Sequence, residues 1–210
     1  MAYSLPQFFL IFWAFGLNID EELGLDDNNN KQFIPTQLIG YKAKQICAID
    51  GYSFFLDLNN NVWGMRANVL GTLGMGNNEE IEIPRATLFP KAKQISITNH
   101  SILILDFNNQ VWGFRFNQYD LLGLHYDLTI MNTPGIITDI KVKQIITGSH
   151  HIFLIDLENN VWSLGLNACG QLGLNNTSNM NQPTLIQGLK AQSVSAGNNH
   201  SAIIDFDNNV

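Results

Sequence analysis

The sequence predicts an all-β protein: a β-propeller of about four blades, each blade a four-stranded antiparallel sheet. Its only four tryptophans recur about every fifty residues, at Trp13, Trp63, Trp112 and Trp162. An apolar run, an aspartate and an Asn-rich corner precede each of the last three, and the same pattern returns at 202–210. No stretch shows sustained helical periodicity. A repeat of this length that holds several short strands is typical of a propeller blade.

The segment before each tryptophan is predicted to be a β-hairpin. Asp57, Asp106, Asp156 and Asp205 each end an apolar run and begin a polar corner. Asn and Asp enter left-handed backbone conformations at low cost, and their side chains bond nearby backbone N–H groups. Paired carboxylates also perform acid–base catalysis, but these four recur one per blade. We therefore expect them to stabilise turns.

A second signature follows each tryptophan: an Asn and, five residues later, a Leu-Gly pair. The copies begin at Asn18, Asn68, Asn117 and Asn167. Glycine at this place indicates backbone with positive φ or a close approach. A polar loop follows and ends at a proline, after which the next strand begins with Lys-Gln-Ile at 44–46, 93–95 and 143–145, or with the drifted sequence at 192–194.

Lysines recur in pairs at the start of that strand. The pairs are Lys42/Lys44, Lys91/Lys93 and Lys141/Lys143, with Ala or Val between the two members. Spacing of two places both lysines on one face of a strand and the small apolar residue on the other. A cationic belt for phosphate or acidic partners is one interpretation. A solvated strand face that discourages edge pairing is the interpretation we favour, because the chain carries a net charge of −7.

Composition restricts the class of protein. Hydrophobic residues make up 45% of the chain and charged residues 14%, as in ordered globular proteins. The negative balance argues against a nucleic-acid surface, so no direct nucleic-acid binding is expected. The apolar segment 8–15 is shorter than the ~20 residues that span a bilayer and follows no Lys or Arg, so we expect a buried strand and no membrane span. Cys47 and Cys169 form no disulfide framework, which favours an intracellular location, cytoplasmic or nuclear.

The repeats are expected to form a single propeller domain over 8–210, after an N-terminal lead-in at 1–7. No linker, charge block or change of composition divides the chain. The units run roughly over 13–62, 63–111, 112–161 and 162–210.

Residues 162–173, Trp-Ser-Leu-Gly-Leu-Asn-Ala-Cys-Gly-Gln-Leu-Gly, resemble the signature of the regulator of chromosome condensation repeat family. Residues 196–201, Ala-Gly-Asn-Asn-His-Ser, resemble the motif with which that family begins a strand. The chain looks like a divergent and incomplete member. The family's Gly is kept at Gly16 and Gly165 and replaced at 66 and 115, and its His is kept at 151 and 200 and replaced at 52 and 101.

The resemblance implies blades of a seven-bladed ring, for which four units are too few. An open arc, an unusual small ring and part of a split or truncated larger ring are the alternatives, of which we favour the incomplete arc. The strand around Trp13 could pair with the last hairpin half and so hide both edges.

The histidines are expected to be structural. His151 and His200 recur at one repeat position, with His100 and His150 beside it, whereas metal ligands converge on one point. We expect a partly buried imidazole whose hydrogen bonds go to backbone. No catalytic, cofactor-binding or metal-binding motif is found in the sequence, so no catalytic residue, cofactor or metal is predicted.

The loops between Leu-Gly and proline differ most between units and form the candidate interaction surface, with solvated loops that bind no partner as the alternative interpretation. Its acidic members are Asp20, Glu21, Asp26, Asp27, Glu79 and Glu80. Arg66 and Arg115, which replace the family's glycine, are candidate anchors for a partner.

These features predict a non-catalytic protein–protein interaction scaffold, not an enzyme. The resemblance implies an alternative, a guanine-nucleotide exchange factor for a Ran-like small GTPase, which is the activity of the family's founding member. An enzyme inhibitor or a lectin-like binder is a further alternative, because fold alone does not select among them.

Overall fold

The computed structural model describes residues 11–19, 22–25, 29–49, 52–65, 83–99, 101–114 and 133–206. Over these ranges the chain forms fifteen β-strands and no helix. The strands are β1 Trp13–Leu17, β2 Lys31–Gln37, β3 Ala43–Ile49, β4 Tyr52–Asp57, β5 Val62–Met65, β6 Arg85–Ala86, β7 Ala92–Ile97, β8 Ile102–Asp106, β9 Val111–Phe114, β10 Gly135–Thr138, β11 Val142–Thr147, β12 His151–Asp156, β13 Asn160–Gly165, β14 Met180–Ala196 and β15 Ser201–Asp205.

Sheet order follows chain order throughout. Strands β3 to β6 form one four-stranded antiparallel sheet and β7 to β10 form another. Strands β11 to β15 form a five-stranded sheet because β14, 17 residues long, pairs with β13 through its first half and with β15 through its second. Strands β1 and β2 form a two-stranded sheet. Three four-stranded blades flanked by two half-blades are thus described, and the predicted all-β partial propeller is confirmed.

Each tryptophan occupies the same strand position. Trp13, Trp63, Trp112 and Trp162 lie in the third strand of a blade and pair with its fourth strand, opposite Gln37, Ala86, Ile136 and Leu185. The repeat that the spacing predicts is therefore the structural repeat.

The two half-blades do not pair with each other in the described residues. Strand β1 pairs with β2, and β15 pairs with β14. The suggestion that the strand around Trp13 pairs with the last hairpin half is wrong for these residues. The reason is geometric: packing of each sheet on the next sets the angle between blades, so two ends meet only when the number of blades completes the ring.

The core lies between neighbouring sheets. In β4, Phe54 and Leu56 pack against the β7–β8 sheet, whereas Phe55 faces the opposite way, against Phe12 and Met65. In β8 and β12, alternate side chains likewise pack against the sheet before their own blade and the sheet after it. The second strand of each full blade is therefore buried on both faces and has no polar alternation. Each fully buried Phe or Leu contributes about 1.5–3 kcal/mol.

Glutamine side chains bridge the first strands of neighbouring blades. Gln45 donates from Nε2 to the carbonyl of Ile95 at 2.7 Å and accepts from the N–H of Ile95 at 3.0 Å. Gln94 makes the same pair of bonds with Ile145, at 2.6 and 3.0 Å. The Gln of the recurring Lys-Gln-Ile thus satisfies backbone groups that no neighbouring strand reaches.

Antiparallel order gives the array two faces. The hairpin face carries the Asp-containing corners 57–61, 106–110 and 156–160 and the connectors that lead into each first strand. The loop face, at the other end of the strands, carries the corners before β8, β12 and β15 and the loop 166–179. These two faces hold the candidate sites.

Candidate protein-interaction faces

Each hairpin corner is organised by its aspartate. Oδ1 of Asp57 accepts from the backbone N–H groups of Asn59 and Asn61, both at 2.8 Å. Its Oδ2 accepts from Nδ2 of Asn61 at 2.8 Å and from Nε1 of Trp63 at 3.0 Å. Asp106 and Asp156 repeat the two backbone bonds and the indole bond. The predicted structural role is confirmed for these three aspartates, whereas the corner after Asp205 lies outside the described residues.

The indole bond was not predicted, although a constant spacing of six residues from Asp to Trp was visible. It has an electrostatic consequence. Partial burial acts to raise the pKa of the Asp57 carboxyl, but hydrogen bonds from Asn61, Trp63 and Asn59 outweigh it and hold that pKa below its usual value. The same balance, through Trp162, Asn160 and Glu158, lowers the pKa of Asp156.

The corner asparagines connect one blade to the next. Asn60, Asn109 and Asn159 have φ of 69°, 61° and 71°, the left-handed conformation expected of them. Their carbonyls accept from the N–H groups of Ala92, Val142 and Ala191, respectively, at 2.9, 2.9 and 3.0 Å. Each hairpin turn therefore also positions the first strand of the following blade.

The paired lysines are exposed on either side of a buried Ala or Val, as the spacing of two predicts, and they lie on the hairpin face. Lys44, Lys93 and Lys143 are exposed, and the residues preceding them, Ala43, Ala92 and Val142, are buried. Each ammonium donates to the amide oxygen of its corner asparagine, which for Lys93 is Oδ1 of Asn109 at 2.6 Å. The lysine face is thus ordered by specific contacts rather than only solvated.

Sequence reasoning missed an exposed apolar residue that follows each corner aspartate. The four are Leu58, Phe107, Leu157 and Phe206, which are 47%, 54%, 49% and 52% exposed. Their recurrence at one place in the repeat was the signal that could have found them.

On the loop face, His151 is fully buried and bonds a side chain of the next blade. Its Nε2 lies 2.9 Å from Oγ of Ser201, and that hydroxyl donates to the carbonyl of Gln171 at 2.9 Å. The expectation that backbone satisfies the imidazole is wrong, because Ser201 occupies the adjacent position. Desolvation, reinforced by repulsion from His150 and His200, lowers the pKa of His151 to about 4.

The hydrogen bond between Ser201 and His151 runs in the wrong direction to activate the serine as a nucleophile. The single hydroxyl proton of Ser201 goes to the carbonyl of Gln171, so its oxygen accepts from Nε2–H of His151. A general base must instead present an unprotonated nitrogen to the hydroxyl. Nδ1 of His151 has no hydrogen-bond partner within the described part of the chain, whereas a triad would orient it with a carboxylate. The arrangement fits a structural role.

His200 has the same repeat position and a different environment. It is exposed, and with Cys169, Gln171 and Ser201 it lines a cleft of about 350 Å³ on the loop face. Among the described residues no group of three or more His, Cys, Asp or Glu could hold a metal ion. Nor does that part of the chain include a helix with the length and apolar character needed to cross a membrane.

The asparagine of the second signature closes the long loop. Oδ1 of Asn167 accepts from the N–H of Leu172 at 3.0 Å, and Nδ2 donates to the carbonyl of Asn176 at 2.9 Å. In the first unit, Oδ1 of Asn18 accepts from the N–H of Leu23 at 3.0 Å. The constant spacing from Asn to Leu-Gly therefore reflects a hydrogen bond that closes the loop. Gly173, with φ of 69°, provides the positive φ that was predicted there.

The candidate interaction surface of the sequence analysis falls on residues that the structure does not describe. All eight members lie outside the described ranges: Asp20, Glu21, Asp26, Asp27, Arg66, Glu79, Glu80 and Arg115. That prediction stays a prediction.

Comparison with known proteins bears on the fold and on the repeat. Residues 158–204 match the family model of the regulator of chromosome condensation (RCC1) repeat. Among solved structures, human WBSCR16 superposes with a TM-score of 0.80 at 16% identity, over 94% of this chain and 54% of that one. Yeast RCC1 (Prp20), solved bound to Kap60, gives 0.79 at 24% identity, over 94% and 50%. Prp20p from Saccharomyces cerevisiae, studied with its binding to Gsp1p and histones, gives 0.74 at 18% identity, over 93% and 52%.

The fold and its repeated internal hydrogen bonds define a β-propeller repeat protein. No curated protein matches the sequence, and the chain spans about half the length of the solved structures named above. Residues 158–204 match an RCC1 repeat, and the fold of the chain is similar to that of the RCC1-type propellers named above.

Proposed function

We propose that this chain is a non-catalytic scaffold that binds protein partners on the faces of its propeller. The observation that carries the proposal is the hydrogen-bond chain from His151 through Ser201 to the carbonyl of Gln171. It commits this hydroxyl and this imidazole to joining two blades. The aspartates of the hairpin corners are committed to turns in the same way.

Rigid blades joined at every interface suit such a role, because a preorganised surface loses little conformational entropy on binding. The partner is expected to be a protein, bound without direct contact to nucleic acid. The free cysteines Cys47 and Cys169 are in keeping with a reducing cytoplasmic or nuclear setting.

Affinity capture from the protein's own cell extract tests the proposal. Immobilised chain at micromolar concentration is expected to retain a defined protein saturably, and purified partner should then bind in solution by calorimetry. A Ser201→Ala variant should bind that partner with unchanged affinity per folded molecule. Retention of nothing beyond what a heat-denatured copy retains would overturn the proposal.

A second candidate is guanine-nucleotide exchange on a Ran-like small GTPase. The observation that favours it is the likeness in fold to yeast RCC1 (Prp20), together with the reported binding of Prp20p to Gsp1p. Exchange needs no nucleophile, because tighter binding to the nucleotide-free GTPase than to the loaded form is sufficient.

Release of labelled GDP from a Ran-like GTPase separates the two candidates. An exchange factor accelerates release in proportion to its concentration, whereas a scaffold of another kind leaves the intrinsic rate unchanged. The loop-face double variant Cys169→Ala, His200→Ala and the hairpin-face variant Phe107→Ser would show which face an active chain uses.

A further inference from the structure

The hairpin face carries a row of exposed apolar side chains. Leu58, Phe107, Leu157 and Phe206 occupy the same position in four successive repeats, and each is about half exposed. Single exposed apolar residues are normal on protein surfaces. Recurrence at one repeat position places one such residue after every corner aspartate along this face.

Lysines accompany this row. Seven exposed lysines lie in the connectors and at the starts of the first strands: Lys42, Lys44, Lys91, Lys93, Lys141, Lys143 and Lys190. Nζ of Lys93 lies 5.7 Å from the ring centroid of Phe107 while it donates to Oδ1 of Asn109. Because that acceptor is a neutral amide, the contact orients the ammonium and leaves its charge uncancelled. Lys44 and Lys143 bond their asparagines in the same way.

Most carboxylates of this face are buried or half-buried, unlike its lysines. Both oxygens of Asp57 and of Asp156 accept hydrogen bonds from their own corners. Of the described carboxylates on the hairpin face, Asp139 and Glu158 are exposed. On the described part of the hairpin face, seven exposed lysines thus outnumber two exposed carboxylates, while four further aspartates lie there at less exposed positions and the whole chain has a net charge of −7.

The face is also indented at repeat-equivalent places. One cleft of about 340 Å³ is lined by Gly40, Lys42 and Leu58 among others. Another, of about 390 Å³, is lined by Gly188, Lys190 and Phe206 among others. The two sets of residues are three repeats apart and occupy equivalent positions. The same combination of a cleft, an ammonium and an apolar side chain therefore occurs twice.

We propose that the hairpin face docks an extended acidic segment of a partner protein, with apolar side chains interspersed among its carboxylates. Carboxylates would meet the lysine ammoniums, and the apolar side chains would cover the corner residues Phe107 and Leu157. A polyanion such as nucleic acid would use the lysines alone and leave the apolar row in water. This inference rests on the proposed scaffold function and names the partner class and the face.

Fluorescence anisotropy with defined peptides tests it on the full chain. The probe is a fluorescein-labelled repeating Glu-Glu-Leu peptide, compared with poly-Glu and with a single-stranded oligonucleotide of equal charge. We expect the Glu-Glu-Leu peptide to bind at least about tenfold more tightly than either, with affinity that falls as salt is added. Lys93→Gln combined with Lys143→Gln, and separately Phe107→Ser combined with Leu157→Ser, should each weaken binding by about tenfold or more.

Matched controls lie on β2, away from this face. Lys31 and Phe33 are exposed there, so Lys31→Gln and Phe33→Ser should leave peptide affinity unchanged. Thermal melts establish that all variants fold. The inference would be overturned if the hairpin-face variants bound the peptide as tightly as the wild type does. It would also be overturned if the wild type bound no peptide, or bound the oligonucleotide more tightly than the Glu-Glu-Leu peptide.

The same variants distinguish this failure from failure of the scaffold proposal. If the wild-type chain captures a partner and the hairpin-face variants capture it equally well, the inference is wrong and the scaffold function stands. If the wild-type chain captures no partner, the scaffold function itself is wrong.

Discussion

The indole Nε1 of Trp162 donates a 3.0 Å hydrogen bond to Oδ2 of Asp156 across the hairpin corner. Trp63 and Trp112 make the same bond to Asp57 and Asp106, at 3.0 and 3.1 Å. One aspartate thereby joins the turn to the third strand of its blade. This explains why the two residue types recur together along the chain.

Replacing Asp156 by Ala should destabilise the protein by about 2–3 kcal/mol, because two turn N–H groups and the indole N–H lose a charged acceptor. Asp139→Ala is the matched control, since Asp139 is an exposed carboxylate on the same face. Urea unfolding followed by tryptophan fluorescence measures both. Equal midpoints for the two variants would contradict the structural role of Asp156.

Stability should fall on acidification in two steps. The pKa of His151 is about 4 in the folded protein against an ordinary 6.5. Between these values the unfolded chain takes up a proton that the native chain does not, so stability present above pH 6.5 is lost as the pH falls towards 4. The lowered pKa values of Asp57 and Asp156 add a further loss below their ordinary value of 3.8.

Urea midpoints measured from pH 7 to pH 3 test this pH dependence. His151→Gln should flatten the slope between pH 6.5 and 4 and leave the later step, whereas His200→Gln, at an exposed position, should preserve both. A wild-type midpoint that stays constant down to pH 4 would show that His151 is not buried as described.

Gly165→Ala should destabilise far more than the same change at the equivalent Gly16. Both glycines have positive φ, +111° and +116°, so both variants incur backbone strain of about 1–3 kcal/mol. A Cβ on Gly165 would also lie 2.6 Å from the carbonyl oxygen of His150, whereas one on Gly16 meets nothing within 4 Å. The difference between the two thermal midpoints isolates the clash. Identical midpoints would refute it.

The two thiols should react at very different rates. Burial raises the pKa of Cys47 to about 11, and its Sγ donates to the carbonyl of Ile95 at 3.6 Å. Cys169 is exposed. Because the thiolate is the reactive form, iodoacetamide at pH 8 should modify Cys169 first, and Cys47 only on unfolding. Mass spectrometry of partially alkylated protein shows which thiol reacts first. In a Cys169→Ser variant, any alkylation reports on Cys47 alone.

Much of the fold followed from the sequence because the repeat displays each structural element several times. The spacing of Trp63, Trp112 and Trp162 predicted one strand position, and the Asn-rich corners predicted hairpins. Burial of β4, β8 and β12 on both faces was not predicted, since a continuous apolar run does not reveal which sheets enclose it.

The candidate sites were less predictable for two physical reasons. The role of Gln94 depends on a backbone carbonyl fifty-one residues away, in Ile145, and no local pattern encodes that distance. The partner of His151 is likewise supplied by the next blade, through Ser201. The sequence predicted an interaction surface in the variable loops between Leu-Gly and proline. The apolar row at Leu58 and Phe107 was overlooked because its members also fit the strand pattern.

The most direct test of the repeated Asp–Trp geometry is hydrogen exchange of the indole N–H groups, followed by NMR on ¹⁵N-labelled protein. The indole resonances of Trp63, Trp112 and Trp162 should exchange far more slowly than free indole, and Asp156→Ala should accelerate Trp162 alone. Exchange of all three at the rate of free indole would contradict the claim that these tryptophans occupy one hydrogen-bonded position, repeated blade after blade.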